Sequence, residues 1–121
     1  MSINLRSYTG AQPVNDFGLP FSTTRYSASL AATTDTSLTV PGVAPRYKAV
    51  ITVESGGDVW VALNGVAAVP AGASFAATTS ELITGSNYKC REVTKNDVIH
   101  FYTATADTTV SVVFYALNVP Q

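Results

Sequence analysis

His100 is the only histidine among the 121 residues, and it is therefore the first side chain to consider as a catalytic base. A hydrolytic triad requires a nucleophile and a carboxylate beside the imidazole. Asp97 precedes His100 by three residues, and on a strand that offset places two side chains on opposite faces. The spacing therefore favours a structural or interface histidine, and no catalytic residue is predicted.

The carboxylates are spread along the chain, and several of them follow turn residues. They are Asp16, Asp35, Glu54, Asp58, Glu81, Glu92, Asp97 and Asp107. Aspartate in a turn accepts hydrogen bonds from nearby backbone N–H groups, which accounts for its presence without chemistry. A glycosidase pair can be assembled from distant positions, so a small hydrolase stays an alternative. The sequence nevertheless favours a protein that is not an enzyme.

Cys90 is the one cysteine, so neither an internal disulfide nor a cysteine-based metal cage can form. A nucleophilic cysteine needs a base and an orienting group, and neither is evident around this residue. We interpret Cys90 as a small buried hydrophobe. The sequence predicts no metal site and no cofactor.

Trp60 and Tyr115 lie in strand-like segments and are candidates for contact with a partner. Aromatic side chains on the outside of a sheet stack on sugar rings or fill protein–protein hot spots. Polar groups suited to hold a sugar are not evident beside Trp60. Core or interface packing is therefore the preferred interpretation of this residue.

The composition suits a chain that lies against other protein. Hydrophobic residues make up 46% and charged residues 12%, about half the charged share of an average soluble domain. The net charge of −1 and the absence of a basic run argue against nucleic-acid binding as the main task. No segment has the features of a signal peptide or a membrane span. We expect a soluble protein without a membrane partner, synthesised in the cytoplasm.

Residues 1–26 are predicted to form an extended N-terminal arm, because glycine and proline interrupt any regular element there. The arm carries four aromatic residues without helical or strand period, which are too many for a freely solvated tail. They are Tyr8, Phe17, Phe21 and Tyr26. We expect the arm to dock on its own domain or on a partner, and an ordinary ordered lead-in is the alternative.

Residues 27–121 are predicted to form one β-sandwich domain, since strand-like segments alternate with turn residues. The predicted strands are Ser27–Ala31, Asp35–Val40, Tyr47–Glu54, Asp58–Leu63, Val66–Val69, Ser74–Ala77, Lys89–Val93, Asp97–Thr103 and Thr108–Leu117. Asn64-Gly65 predicts a type I′ hairpin between the fourth and fifth of these. Residues 78–86 are predicted to be a loop.

The fold class that follows is all-β, an antiparallel two-sheet sandwich rather than a barrel. A jelly roll is one topology that the strand spacing allows, but the order of the strands does not follow from the sequence. The second faces of Val59–Leu63 and Thr108–Leu117 are also poorly polar, which suggests self-association as a dimer or trimer.

Four segments carry a resemblance to a known class of protein. They are Gly57-Asp-Val-Trp-Val-Ala-Leu-Asn-Gly65, Ala68-Val-Pro-Ala-Gly72, Asn96-Asp-Val-Ile-His-Phe101 and Val110-Ser-Val-Val-Phe-Tyr-Ala116. Over roughly residues 27–117 the chain resembles the small β-sandwich proteins of tailed bacteriophage virions, in particular head decoration or capsid cement proteins. Asn96 stands where such patterns commonly have glycine, and asparagine tolerates the same left-handed backbone.

The resemblance implies a structural protein on the outer surface of a capsid that bridges major capsid subunits, often as a homo-oligomer. It also implies that the arm aromatics, together with Trp60 and Tyr115, contact capsid or neighbouring subunits. A receptor- or glycan-binding domain of a tail fibre or spike is the alternative function.

Overall fold

The computed structural model describes residues 20–77, 79–86, 88–104 and 107–117. These residues form eight strands and no helix. In the described part of the chain no helix is long and apolar enough to cross a membrane. The strands are β1 (Arg25–Leu30), β2 (Thr36–Thr39), β3 (Arg46–Val53), β4 (Asp58–Leu63), β5 (Glu81–Thr84), β6 (Lys89–Thr94), β7 (Val98–Tyr102) and β8 (Thr108–Leu117).

The strands form two four-stranded antiparallel sheets, which confirms the predicted sandwich. Sheet A has the order β1-β8-β3-β6, and sheet B has the order β2-β7-β4-β5. Within the sheets β1 pairs with β8, β2 with β7, β3 with β6, and β4 with β5. The chain is thus one long antiparallel hairpin wrapped across two sheets, which is the jelly-roll topology.

The core lies between the sheets, and the central strands of sheet A supply much of it. Alternate residues of β3 and β8 are buried, as the period of two predicts. The buried apolar residues of these strands are Tyr47, Ala49, Ile51, Val53, Val110, Val112 and Phe114. The Phe114 ring meets the Tyr47 ring edge to face, with centroids 5.9 Å apart.

Two turns have a residue in the left-handed backbone region. Gly56 has φ +82°, and the Gly57 N–H donates to the Glu54 carbonyl at 3.0 Å. This turn carries the chain from β3 in sheet A to β4 in sheet B, so the two segments it joins do not pair. Asn96 has φ +68° between β6 and β7, as expected for an asparagine in the left-handed region.

The segment after β4 departs from the prediction. Asn64 has φ +57° but Gly65 has no positive φ, so the type I′ hairpin does not form. Residues 66–69 and 74–77 are not strands, and β5 lies inside the segment predicted to be a loop. The reason is tertiary: Ile83 of β5 is buried opposite Val59, and that pairing outweighs the local turn preference.

Candidate interaction surfaces

The first described residues run along β8 before the chain enters the sheet at Arg25. The Ser22 hydroxyl donates to the Phe114 carbonyl at 2.7 Å, and the Phe114 N–H donates to the Thr24 carbonyl at 2.9 Å. The Tyr115 hydroxyl donates to the Pro20 carbonyl at 2.8 Å. Tyr115 therefore binds the lead-in of its own chain from the outer face of sheet A.

The other predicted arm aromatics have different positions. Tyr8 and Phe17 lie outside the described residues. The Phe21 side chain is almost fully exposed. Tyr26 lies in β1, and its ring meets Phe114 edge to face at 5.8 Å, so it faces the space between the sheets.

Trp60 lies on the outer face of sheet B, because its neighbours Val59 and Val61 face the core. It is opposite Tyr102 of β7 on one side and Leu82 of β5 on the other. The three side chains form an apolar row across three strands, of which Trp60 and Tyr102 are half-buried and Leu82 is exposed.

His100 has a carboxylate partner that the sequence spacing did not indicate. Its Nδ1 lies 2.9 Å from Oδ2 of Asp35, and Oδ1 of Asp35 accepts the Ala67 N–H at 2.9 Å. Asp97 instead accepts hydrogen bonds from the Asn64 side chain and the Thr94 N–H. Asp35 is 65 residues from His100, so only the pairing of β2 with β7 could have revealed the contact.

The position of Asp35 sets its acidity. Burial raises the pKa of the Asp35 carboxyl, but hydrogen bonds from His100 and the Ala67 N–H, with the charge of His100, outweigh burial. The pKa therefore lies below its ordinary value of 3.8. The contact joins the start of β2 to β7, and through the Ala67 N–H it also fixes the connection 64–80 to sheet B.

Most of the exposed apolar side chains belong to segments that meet at one end of the sandwich. Nine large apolar side chains are exposed in the described part of the chain. Six belong to the lead-in, the end of β4, or the connections 40–45 and 64–80. Each of these segments begins or ends where β8 finishes, and the connection 64–80 also reaches over sheet B, where Ala67 is bonded to Asp35. We call these six the apolar end: Phe21, Val43, Leu63, Val66, Val69 and Phe75.

The connections at the apolar end are held by hydrogen bonds. The Val40 N–H donates to the Asp97 carbonyl at 2.7 Å, and the Asn64 N–H donates to the Val98 carbonyl at 2.6 Å. Ala67 is 1% exposed and bonded to Asp35, so part of the connection 64–80 is fixed against sheet B. Phe75, further along the same connection, is fully exposed.

The described residues contain no group of three or more His, Cys, Asp or Glu side chains that could hold a metal ion. Cys90 is half-buried on β6 rather than fully buried as predicted. Its neighbours in the strand, Lys89 and Arg91, project to the opposite face, since side chains alternate along a strand.

No family model, no curated protein and no solved structure matches this chain. The likeness to capsid decoration proteins therefore remains a prediction from the sequence segments that carry it.

Proposed function

We propose that this chain is a structural virion protein that binds the outer surface of a phage capsid and stabilises it by bridging major capsid subunits. In this role it is a homo-oligomer that acts without enzymatic activity, cofactor, nucleic acid or membrane. The observation that carries the proposal is the apolar end, where Phe75, Val43 and Phe21 are almost completely exposed. Exposed apolar side chains that come together in one patch mark sites of protein–protein contact.

The energetics of the apolar end suit a surface that is used in many copies. Fully burying one large apolar side chain contributes about 1.5–3 kcal/mol. Only part of the free energy gained by burying several such side chains appears as binding affinity, because association also costs translational and rotational freedom. A modest contact is sufficient on a capsid, since each bound copy acts on an assembled lattice and the copies act together.

The hydrogen bonds of the connections support the same role. The backbones of Val40 and Asn64 are hydrogen-bonded to Asp97 and Val98 at the start of β7. The connections that carry the contact surface are therefore already ordered and lose little conformational freedom on binding. The jelly-roll architecture itself occurs in viral capsid and lectin domains. That similarity is an analogy of fold, and the function is argued from the exposed residues.

Co-sedimentation with expanded capsid shells stripped of accessory proteins tests the proposal. We expect saturable binding at a fixed ratio to the capsid subunit, and shells that then survive more heat. Phe75→Ser with Val43→Ser should abolish binding without lowering the melting temperature, because neither side chain contributes to the core. Leu82→Ser, an exposed change on the face of sheet B, is the matched control and should bind normally. Absence of binding by the unaltered protein would refute the proposal.

The row of Tyr102, Trp60 and Leu82 favours one alternative, a receptor- or glycan-binding domain of a tail fibre or spike. An aromatic row on a sheet face can stack on a sugar ring, and Asp58 precedes Trp60 by two residues on the same face. This alternative predicts that Trp60→Ala abolishes glycan binding measured by calorimetry. It also predicts that the protein occurs only in tail fractions.

A further inference from the structure

An apolar groove runs along one side of the sandwich, between the edge strands β1 and β2. Its volume is about 190 Å³. The residues that line it come from both sheets, and Phe101 and Val112 at its base are core residues only 3% exposed. Tyr26, Ala28 and Leu38 form its walls. The core is therefore reachable from solvent along this side.

The edge strand beside the groove has little to prevent another chain from pairing with it. β1 has the sequence RYSASL, with one charge at its first residue and no proline. β6, the other edge of sheet A, has the sequence KCREVT and three charged residues. Charges on an edge strand discourage pairing, and β1 lacks that protection beyond Arg25.

The size of the groove suits one aromatic ring. A dry apolar cavity of about 150 Å³ in another protein takes up benzene, and this groove is somewhat larger. Its lining is mostly aliphatic and aromatic carbon, with Ser27, Thr36 and Ser37 as polar members. A phenyl or phenol side chain would therefore gain contact on several sides and leave few polar groups unpaired.

This protein has two aromatic residues in the segment that precedes the described part of the chain. Residues 1–19 precede the described chain and include Tyr8 and Phe17. They join it at Pro20, which Tyr115 holds on the outer face of sheet A, on the other side of that sheet from the groove. Phe17 is three residues from Pro20, a reach of about 10 Å, and Tyr8 is further along the chain and reaches further.

We propose that the groove binds residues 1–19 of a second copy of this chain, with an aromatic ring of that segment seated against Phe101 and Val112. The segment lies along the free edge of β1, where unpaired backbone groups can accept it as an added strand. Tyr8 is twelve residues from Pro20 and can extend about 40 Å, enough to span to a neighbouring molecule. The exchange links copies of the protein whether or not a capsid is present.

Sedimentation velocity of the full chain over a range of concentrations tests the proposal. We expect the unaltered protein to self-associate. Tyr8→Ala with Phe17→Ala should raise the dissociation constant about thirty-fold or more, as for the loss of an aromatic hot spot. A protein that is monomeric throughout, or a double variant that associates normally, would overturn the proposal.

A matched pair of variants on β1 tests the groove itself. Ala28→Phe places a ring in the groove, whereas Ser29→Phe places the same ring on the outer face of the same strand. Ala28→Phe should abolish association and Ser29→Phe should leave it unchanged, with circular dichroism showing that both are folded. Equal loss in both variants would contradict a role for the groove.

Mixing distinguishes exchange between molecules from binding within one molecule. The Ala28→Phe variant has an intact segment and a filled groove, while the Tyr8→Ala, Phe17→Ala variant has an intact groove. A mixture of the two should form a complex that neither forms alone. Failure to form it, with both variants folded, would also overturn the proposal.

Discussion

The sandwich has two sides at which an edge strand of sheet A lies next to an edge strand of sheet B, and these two sides are built differently. On the β5/β6 side, Arg91 and Glu81 form a two-point ion pair across the sheets, with Nε of Arg91 3.1 Å from Oε1 of Glu81. On the β1/β2 side, the described residues leave the apolar groove open. One side is thus covered by its own charged side chains, and the other leaves core residues reachable from solvent.

This difference shows how a sandwich can leave one edge available for association. The charges of β6 discourage pairing with a further strand, and the ion pair lies over the core at that side. The hydrogen bond to Glu81 raises the pKa of Arg91, so that cation is present at every working pH. β1 and β2 have neither protection, which makes their side the one suited to intermolecular contact.

The largest expected effect on stability comes from shortening one apolar side chain on each edge strand of sheet B, β5 and β2. Ile83→Ala on β5 should lower the free energy of unfolding by about 4 kcal/mol, because Ile83 is 1% exposed and its loss leaves a closed cavity. Leu38→Ala on β2 should cost about 1–2 kcal/mol, since Leu38 borders the open groove. Urea denaturation of dilute protein measures both. Equal costs would mean that the groove is closed in solution.

The turn between β5 and β6, which contains Gly85, provides a second test of how tightly this side of the sandwich is packed. A Cβ on Gly85 would lie 2.1 Å from the Glu54 carbonyl oxygen, so the backbone must shift. Gly85→Ala should therefore cost about 3 kcal/mol. Gly72→Ala, in the connection 64–80 with no atom within 4 Å of the added carbon, is the control and should change the melting temperature little. A tolerated Gly85→Ala would show that this turn is less tightly packed than described.

The charged contact at the start of β2 should respond to acid. Because the pKa of Asp35 is lower in the folded protein, its contacts stabilise the fold above pH 3.8 and are lost as the pH falls through the lowered value. Asp35→Asn should cost about 1 kcal/mol at neutral pH, and its melting temperature should fall less steeply below pH 4. Asp58→Asn controls for the loss of one negative charge. If the melting temperatures of Asp35→Asn and the unaltered protein fell equally steeply below pH 4, the expectation would be contradicted.

The smallest effect should come from the ion pair on the β5/β6 side. Its side chains are 46% and 45% exposed, so solvent screens the attraction strongly. Arg91→Met should cost less than about 1 kcal/mol, with a smaller difference at high salt. Sedimentation velocity of the same variant tests whether the charge of Arg91 also discourages pairing of β6 with another chain. If the charges of β6 discourage pairing, Arg91→Met should aggregate more readily than the unaltered protein.

The sequence by itself determined the strands whose pattern is local. Tyr47–Glu54 and Thr108–Leu117 are rich in strand-forming residues, and the structure has β3 and β8 at these positions. Which face of β8 is buried was not predicted, because both of its faces are poorly polar. The turns at Gly56 and Asn96 were predictable for a similar reason, since few residue types tolerate a positive φ. Together these features were sufficient for the class of fold, an antiparallel sandwich.

Only the tertiary structure decided which strands pair and what lies between them. The segment Glu81–Thr84 lies within the predicted loop 78–86, and it becomes β5 because β4 supplies a partner and a core to cover. The Asp35–His100 contact and the groove of the β1/β2 side depend on residues far apart in the chain. Such features arise from long-range pairing, which the local preferences of single residues do not specify.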